Sequence, residues 1–193
     1  SVQWIGSIGQ PHDWEDFEAI ASQLALSVPV VRIEGGSSRQ ESVYRGLLHL
    51  KTLDVPVERV AVHDGARCLA TPDLFDRCNA ALDECDGAIA AIPVKDTIKQ
   101  VKSSESSEEL RIDSTPDRSL LWAAQTPQCF RFELLLAAHE RARQEGWEVT
   151  DDASIFERAG LPVRVVAGEE TNLKMTTPLD LTIASAILQQ RHG

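Results

Sequence analysis

Positive charge is scarce in this chain. It sets 19 Lys and Arg against 30 Asp and Glu, a formal net charge of −11. Broad binding to nucleic acid or to an anionic membrane needs a net basic surface, so the composition argues against both. It does not argue against a small basic pocket for phosphates. No apolar run approaches the roughly 20 residues of a membrane-spanning helix, and no signal-peptide pattern is visible. The four cysteines, Cys68, Cys78, Cys85 and Cys129, form no CxxC pair and no zinc-like spacing with histidine. Cys78 and Cys85, seven apart in an expected helix, read as packing residues, with a reducing cytosol as the default compartment. The five histidines are scattered without a metal pattern. No GxGxxG follows a strand, which leaves a dinucleotide-binding oxidoreductase without support.

What is present is a regular alternation of strand and helix signals. The 193 residues, 42% apolar and 25% charged, suit one globular domain with a full core. Val2–Ile8 and Val28–Ile33 read as strands, with helical spacing over Trp14–Leu26 between them. A helix over Glu41–Leu50 is entered through GGSSRQES, and Val60–Val62 is the core of a third strand. Thr71-Pro72-Asp73 places proline in the first turn of a helix running to about Cys85. Gly87–Val94 is a continuous apolar run, the pattern of a strand buried on both faces. Leu120–Thr126 returns to the sheet. A helix over Phe132–Glu145 is closed by Gly146, and another from Thr150-Asp151-Asp152 through Ala159 is again closed by glycine. Val163–Val166 is a strand, Asn172–Met175 extends toward it, and Pro178 opens a last helix to about Gln190. The pattern predicts an α/β fold, a mostly parallel sheet with helices on both faces.

One stretch breaks the alternation. Thr97–Val101 and Glu109–Ile112 are short strand-like segments flanking the polar Lys102–Glu108 (KSSESSE). They predict a protruding β-hairpin arm over residues 97–118. A two-stranded ribbon is marginal alone, so the arm is expected to pack on something else, most simply a partner subunit, or else to be a solvated surface hairpin.

The chemistry concentrates at strand ends. In VAVHDGAR, Val60–Arg67, an apolar strand stops and delivers an aspartate, a glycine and an arginine. In open α/β sheets ligands bind beyond the carboxyl ends of strands. An Asp there can hold Mg²⁺, an Arg can grip a phosphate, and Gly65 lets backbone approach a ligand closely. The plainer reading is an ordinary turn in which Asp64 caps the next helix. Four further segments carry polar groups that packing does not require: Gly35–Ser42, Pro93–Thr97, Ala124–Gln128 and Asn172–Thr176. In a parallel sheet such ends share one rim.

Taken in order, GGSSRQESV, VHDGAR, PVKDTIK, DRSLLWAAQTPQ, TDDAS and NLKMTTPLDL resemble the 2-C-methyl-D-erythritol 4-phosphate cytidylyltransferase family, from Ser1 to about Leu188. The resemblance implies a Rossmann-like domain that dimerises through a β-arm. It also implies an enzyme joining CTP to a phosphorylated polyol with Mg²⁺ or another divalent cation and releasing pyrophosphate, in the bacterial cytoplasm or the plastid stroma. By the same resemblance, Asp64 holds the metal at the CTP phosphates and Lys174 sets positive charge beside the reacting groups and the substrate. Gly36, Ser37, Ser42 and Gly65 meet the nucleotide. Arg67, Thr97, Arg118, Thr126 and Thr150 surround the polyol phosphate, some of them supplied by the partner. Helix caps and turns remain open for the threonines, a surface salt bridge for Arg118 and a solvated amine for Lys174.

Two positions depart from the family pattern: Ser37 stands where an Asp is frequent, and Cys68 where a Pro is usual. The family also carries, upstream, a first strand and a Gly-rich basic loop with a further lysine. Ser1 falls after them, so a gap in the middle of the sheet is expected. The 193 residues alone are expected to be inactive and poorly stable, the full protein having residues ahead of Ser1. Two other readings stay open: a cytidylyltransferase for another polyol phosphate such as ribitol 5-phosphate, and a non-catalytic interaction protein of the same fold.

Overall fold

Alternation of apolar residues between two faces fixes the central sheet. In the strand β4 (Gly87–Pro93), Ile89 faces one hydrophobic cluster and Ala88 and Ala90 face another. The first cluster gathers Val43, Leu47, Phe130, Leu135, Ile155 and Phe156, the second Leu74, Cys78, Leu82 and Cys129. Both faces are therefore covered, which is why β4 reads as an unbroken apolar run. The Phe130 and Phe156 rings sit 4.9 Å apart and are wholly buried; each such side chain contributes roughly 1.5–3 kcal/mol through burial.

The computed structural model describes residues 2–24, 26–104 and 107–192. Strands β1 (Ile5–Gly9) and β2 (Val30–Glu34) form a parallel pair, with α1 (Trp14–Ala21) between them in sequence. The second sheet has the order β3-β7-β4-β8, with β3 at Arg59–Val62, β7 at Trp122–Arg131 and β8 at Arg164–Ala167. β8 runs parallel to β4, whereas β7 is antiparallel to both β3 and β4. Among the described residues the β1–β2 pair and the other four strands share no ladder. One face of the larger sheet carries α3 (Pro72–Ala81); the other carries α2 (Arg39–Lys51), α4 (Phe132–Gln144) and α5 (Asp152–Arg158). The last helix, α6, spans Pro178–His192.

Local chemistry sets the ends of these elements. Thr71 caps α3 by accepting from the Leu74 N–H, with Pro72 in the first turn. Ser38 caps α2 by accepting from the Glu41 N–H. Gly146 and Gly160, past the ends of α4 and α5, take φ of +66° and +87°, the left-handed conformation that glycine adopts without penalty. Helix α1 stops at Ala21, short of Leu26, and buries no residue. β7 runs past Thr126 to Arg131, because an irregularity opposite Ile89–Ala91 absorbs Pro127 within the strand. Among the described residues Asn172–Met175 forms no strand with β8; it is hydrogen-bonded to the turn after β3 and to β7.

The arm consists of β5 (Gln100–Ser104) and β6 (Ser107–Ser114), paired antiparallel with each other and, among the described residues, with no other strand. Its tip at 105–106 lies outside the described residues.

Candidate active site

Asp64, two residues beyond β3, is fixed at three points. Its backbone N–H donates to Thr126 Oγ1 at 3.0 Å. Its Oδ1 accepts from Arg39 Nε at 3.0 Å, and its Oδ2 lies 3.0 Å from Lys174 Nζ. Thr126 has one hydroxyl proton, which goes to His63 Nδ1 at 3.0 Å and leaves His63 Nε2–H to donate to Arg67 O at 3.1 Å. Burial lowers the His63 pKa, which suits this neutral tautomer.

The Lys174 loop is tied to the same turn. The Met175 N–H donates to Ala66 O at 2.8 Å, and Arg67 donates from Nη1 to Asn172 O at 2.8 Å and from Nη2 to Ala124 O at 3.3 Å. Asn172, wholly buried, donates to Thr126 O at 2.8 Å. Arg67 is thus a strut joining the β3 turn, β7 and the Lys174 loop, and burial lowers its pKa.

Arg39, the first residue of α2, links this cluster to the core. Its Nη1 donates to Asp152 Oδ2 at 2.8 Å. Asp152, in the first turn of α5, is 3.0 Å through Oδ1 from His139 Nε2 of α4. Gln128 donates to Asp151 Oδ2 at 2.8 Å and accepts from the N–H groups of Asp152 and Ala153.

A cleft of about 210 Å³ opens above Asp64, lined by three cations (Arg39, Arg67, Lys174), two carboxylates (Asp64, Asp151) and polar groups that include Thr126 and Thr150. It is a locally cationic site on an anionic protein, suited to phosphates. Burial pushes the Asp64 pKa up, but hydrogen bonds from Lys174 and Arg39 overcome it and hold the carboxyl below its ordinary value. Burial likewise disfavours the Arg39 cation, and Asp152 and Asp64 more than restore it. Among the described residues no group of three or more His, Cys, Asp or Glu could hold a metal. Asp64, its side chain 16% exposed at the cleft, instead suits a hard cation that takes its remaining ligands from phosphates and water.

Comparison with known proteins agrees with this geometry. The model of the 2-C-methyl-D-erythritol 4-phosphate cytidylyltransferase family matches residues 1–190. A protein of that name from Synechococcus sp. is 58% identical over 191 residues, spanning 99% of this chain and 80% of the relative. One from Nostoc punctiforme is 56% identical over 191 residues, spanning 99% and 81%. The crystal structure of 4-diphosphocytidyl-2C-methyl-D-erythritol synthase from Anaerococcus prevotii matches with a TM-score of 0.85 at 32% identity, covering 97% of this chain and 82% of that one. The chain belongs to the 2-C-methyl-D-erythritol 4-phosphate cytidylyltransferase family.

Within this cytidylyltransferase fold, the residues singled out in the sequence divide into three groups. Asp64, Arg67, Thr126, Thr150 and Lys174 line one cleft, although the Thr126 hydroxyl is occupied in positioning Asp64 and His63. Gly36 and Ser37 lie in the loop after β2, and Ser42 lies near the start of α2. Ser42 Oγ accepts from the Gly36 N–H and donates to Ser38 O, while Ser37 donates to Glu41 through both N–H and Oγ. The two Ser37 bonds, with Arg45, lower the Glu41 pKa to about 2. Gly65 faces open space. Thr97 and Arg118 lie outside the cleft; Arg118 Nη1 donates to Lys95 O at 2.6 Å near the root of the arm.

Arg39, Gln128, Asp151, Asp152 and His139 escaped the sequence reading as site residues. Arg39 and Asp152 sat inside GGSSRQESV and TDDAS, but their pairing spans 113 positions and left no local signal.

Proposed function

We propose that this chain transfers CMP from CTP to 2-C-methyl-D-erythritol 4-phosphate, giving 4-diphosphocytidyl-2-C-methyl-D-erythritol and pyrophosphate. The observation that carries the reading is the Asp64–Lys174 pair, 3.0 Å apart at the rim of a cationic cleft, in a member of this family.

The nucleophile in such a transfer is a phosphate oxygen, already anionic at neutral pH, so no strong general base is required. The barrier lies in bringing one polyanion against another. The chain answers with charge and position. Lys174 stabilises charge on the α-phosphate and the departing pyrophosphate. Asp64 is the carboxylate for Mg²⁺ or another divalent cation. When bound, that cation screens the triphosphate and stabilises the leaving group. Gly36 and Ser37 in the loop after β2, Ser42 near the start of α2 and Gly65 in the turn after β3 hold the nucleotide, chiefly through backbone, because the Ser37 and Ser42 hydroxyls are already engaged. Thr150 and Arg67 flank the polyol phosphate, and Thr126 supports it through the Asp64 turn. Thr97 and Arg118, near the root of the arm, complete that pocket from the partner of a homodimer. The cyanobacterial relatives support the bacterial cytoplasm as the compartment.

A coupled pyrophosphate assay on the full-length protein, not on the 193 residues alone, tests the reading. With CTP and Mg²⁺, release is expected with 2-C-methyl-D-erythritol 4-phosphate and not with ribitol 5-phosphate. Faster release with ribitol 5-phosphate would reassign the acceptor, and no release with either would overturn the enzymatic reading.

A further inference from the structure

A line of alternating charges leads from the cleft into the core. The Lys174 side chain is 47% exposed, that of Asp64 16%, that of Arg39 32% and that of Asp152 1%, with His139 as deeply buried as Asp152 behind it. Of these residues, the proposed chemistry uses only Lys174 and Asp64. A carboxylate taken wholly out of water is costly, and apolar replacement of such buried pairs is frequently neutral or stabilising. Asp152 and His139 therefore call for a role beyond stability.

The geometry supplies one. Each oxygen of Asp152 has its own partner, His139 Nε2 on Oδ1 at 3.0 Å and Arg39 Nη1 on Oδ2 at 2.8 Å. The backbone of Asp152 is pinned as well, its N–H and that of Ala153 both donating to Gln128 Oε1. The carboxylate cannot turn without losing a partner, so the donor on Oδ1 aims Oδ2 at Arg39. Arg39, anchored there, presents Nε to Asp64 Oδ1 at 3.0 Å. Among the described residues His139 Nδ1 is buried without a hydrogen-bond partner, so there the ring's one polar anchor is Asp152. Asp64 is consequently asymmetric: Oδ1 is held by an anchored guanidinium, and Oδ2 by a half-exposed lysine.

We propose, resting on the cytidylyltransferase reading above, that His139 and Asp152 are positioning residues that reserve Arg39 for Asp64 Oδ1. Oδ2, now covered by Lys174, is then the exchangeable face of the carboxylate, the one open to a divalent cation.

The test measures binding of MnCTP to the protein by water-proton relaxation, with no polyol phosphate present and hence no turnover. His139→Leu removes the donor at similar volume and should weaken MnCTP binding about tenfold or more, the usual cost of losing a group that orients a metal ligand. The Mg²⁺ concentration for half-maximal pyrophosphate release should rise in parallel, with KM for the polyol phosphate unchanged. A merely structural role would instead lower the active fraction and leave the metal requirement alone. His139→Gln places an amide N–H near the Nε2 position and should restore binding; His139→Asn falls one methylene short and should not. A folded His139→Leu protein that binds MnCTP like the parent overturns the proposal. If the leucine variant does not fold, equal affinity of the Gln and Asn variants overturns it. A parent protein that binds no MnCTP sinks the cytidylyltransferase reading and this inference with it.

Discussion

Lys174 Nζ stands 3.0 Å from Asp64 Oδ2, although the two residues come from opposite halves of the chain. The Met175–Ala66 and Arg67–Asn172 hydrogen bonds bring their loops together before any ligand arrives. The ammonium is half exposed, so the ion pair contributes about 0–1 kcal/mol to stability. Placed beside a reacting triphosphate the same charge is worth far more. Lys174→Met should therefore lower kcat by about 10²–10³ and leave the melting temperature nearly unchanged. Steady-state kinetics and calorimetry on one preparation check both halves of the statement.

Two glycines in the nucleotide segments make opposite demands. A Cβ on Gly36 would lie 2.4 Å from Glu41 Cγ and 2.6 Å from Glu41 Cβ. Glu41 is fixed by Ser37 and Arg45 and cannot simply swing away. Gly36→Ala should destabilise the fold by about 1–3 kcal/mol, as overpacking does. A Cβ on Gly65 would meet nothing within 4 Å, and Gly65 has no positive φ. Gly65→Ala should leave urea unfolding unchanged and still raise KM for CTP. An unchanged KM would remove Gly65 from the nucleotide site.

The difference between what the sequence disclosed and what it withheld is physical. β4 was legible because burial on both faces writes a continuous apolar run, and the ends of α4 and α5 because glycine alone takes positive φ cheaply. Asp64 and Lys174 were legible because a strand end followed by charge has few structural uses. The direction of β7 was not, since an antiparallel strand inserted between two parallel ones carries the same apolar pattern as a parallel one. Asp152 and His139 were also hidden: an Asp beside a helix start reads as a cap, and in TDDAS the cap is in fact its neighbour Asp151.

The arm carries an apolar row. Val101 lies opposite Ile112 in the ladder, and Leu110 shares the Ile112 face of β6. Leu110 and Ile112 are 66% and 63% exposed, more than a ribbon of this size tolerates without a partner. The protein should sediment as a dimer, and Leu110→Asp combined with Ile112→Asp should yield a folded monomer. A parent protein that sediments as a monomer removes the arm as a dimerisation element.

Asp151 gives the fold an acid limit. Burial pushes its pKa up, but hydrogen bonds from Ser154 and Gln128, with the charge of Arg39, hold it below the ordinary value. The folded state thus gives up this proton more readily than the unfolded chain. Its contribution is complete above the unfolded pKa of about 4 and is lost as pH falls through the lower folded value. Asp151→Asn keeps a capping side chain and deletes the charge. Urea unfolding should show the variant less stable than the parent at pH 7 and the gap closing below about pH 4. A gap that stays constant across that range would mean the charge contributes nothing.

Arg118 tests whether the arm also completes the pocket. Its guanidinium donates to Lys95 O and does not reach the cleft of its own chain. A charge-assisted bond to phosphate contributes about 1.5–3 kcal/mol, which converts to roughly 10–150-fold. Arg118→Ala should raise KM for the polyol phosphate by that order and leave KM for CTP close to the parent value; equal loss of both counts against the assignment. Mixed dimers decide whose cleft it serves. When Arg118→Ala and Lys174→Met chains are co-refolded in equal amounts, half the dimers are mixed. If Arg118 acts across the two-fold axis, each mixed dimer keeps one intact site and about a quarter of the parent activity returns. With the polyol phosphate held well below KM, if Arg118 serves its own chain every site is impaired and at most a few per cent of the parent activity returns.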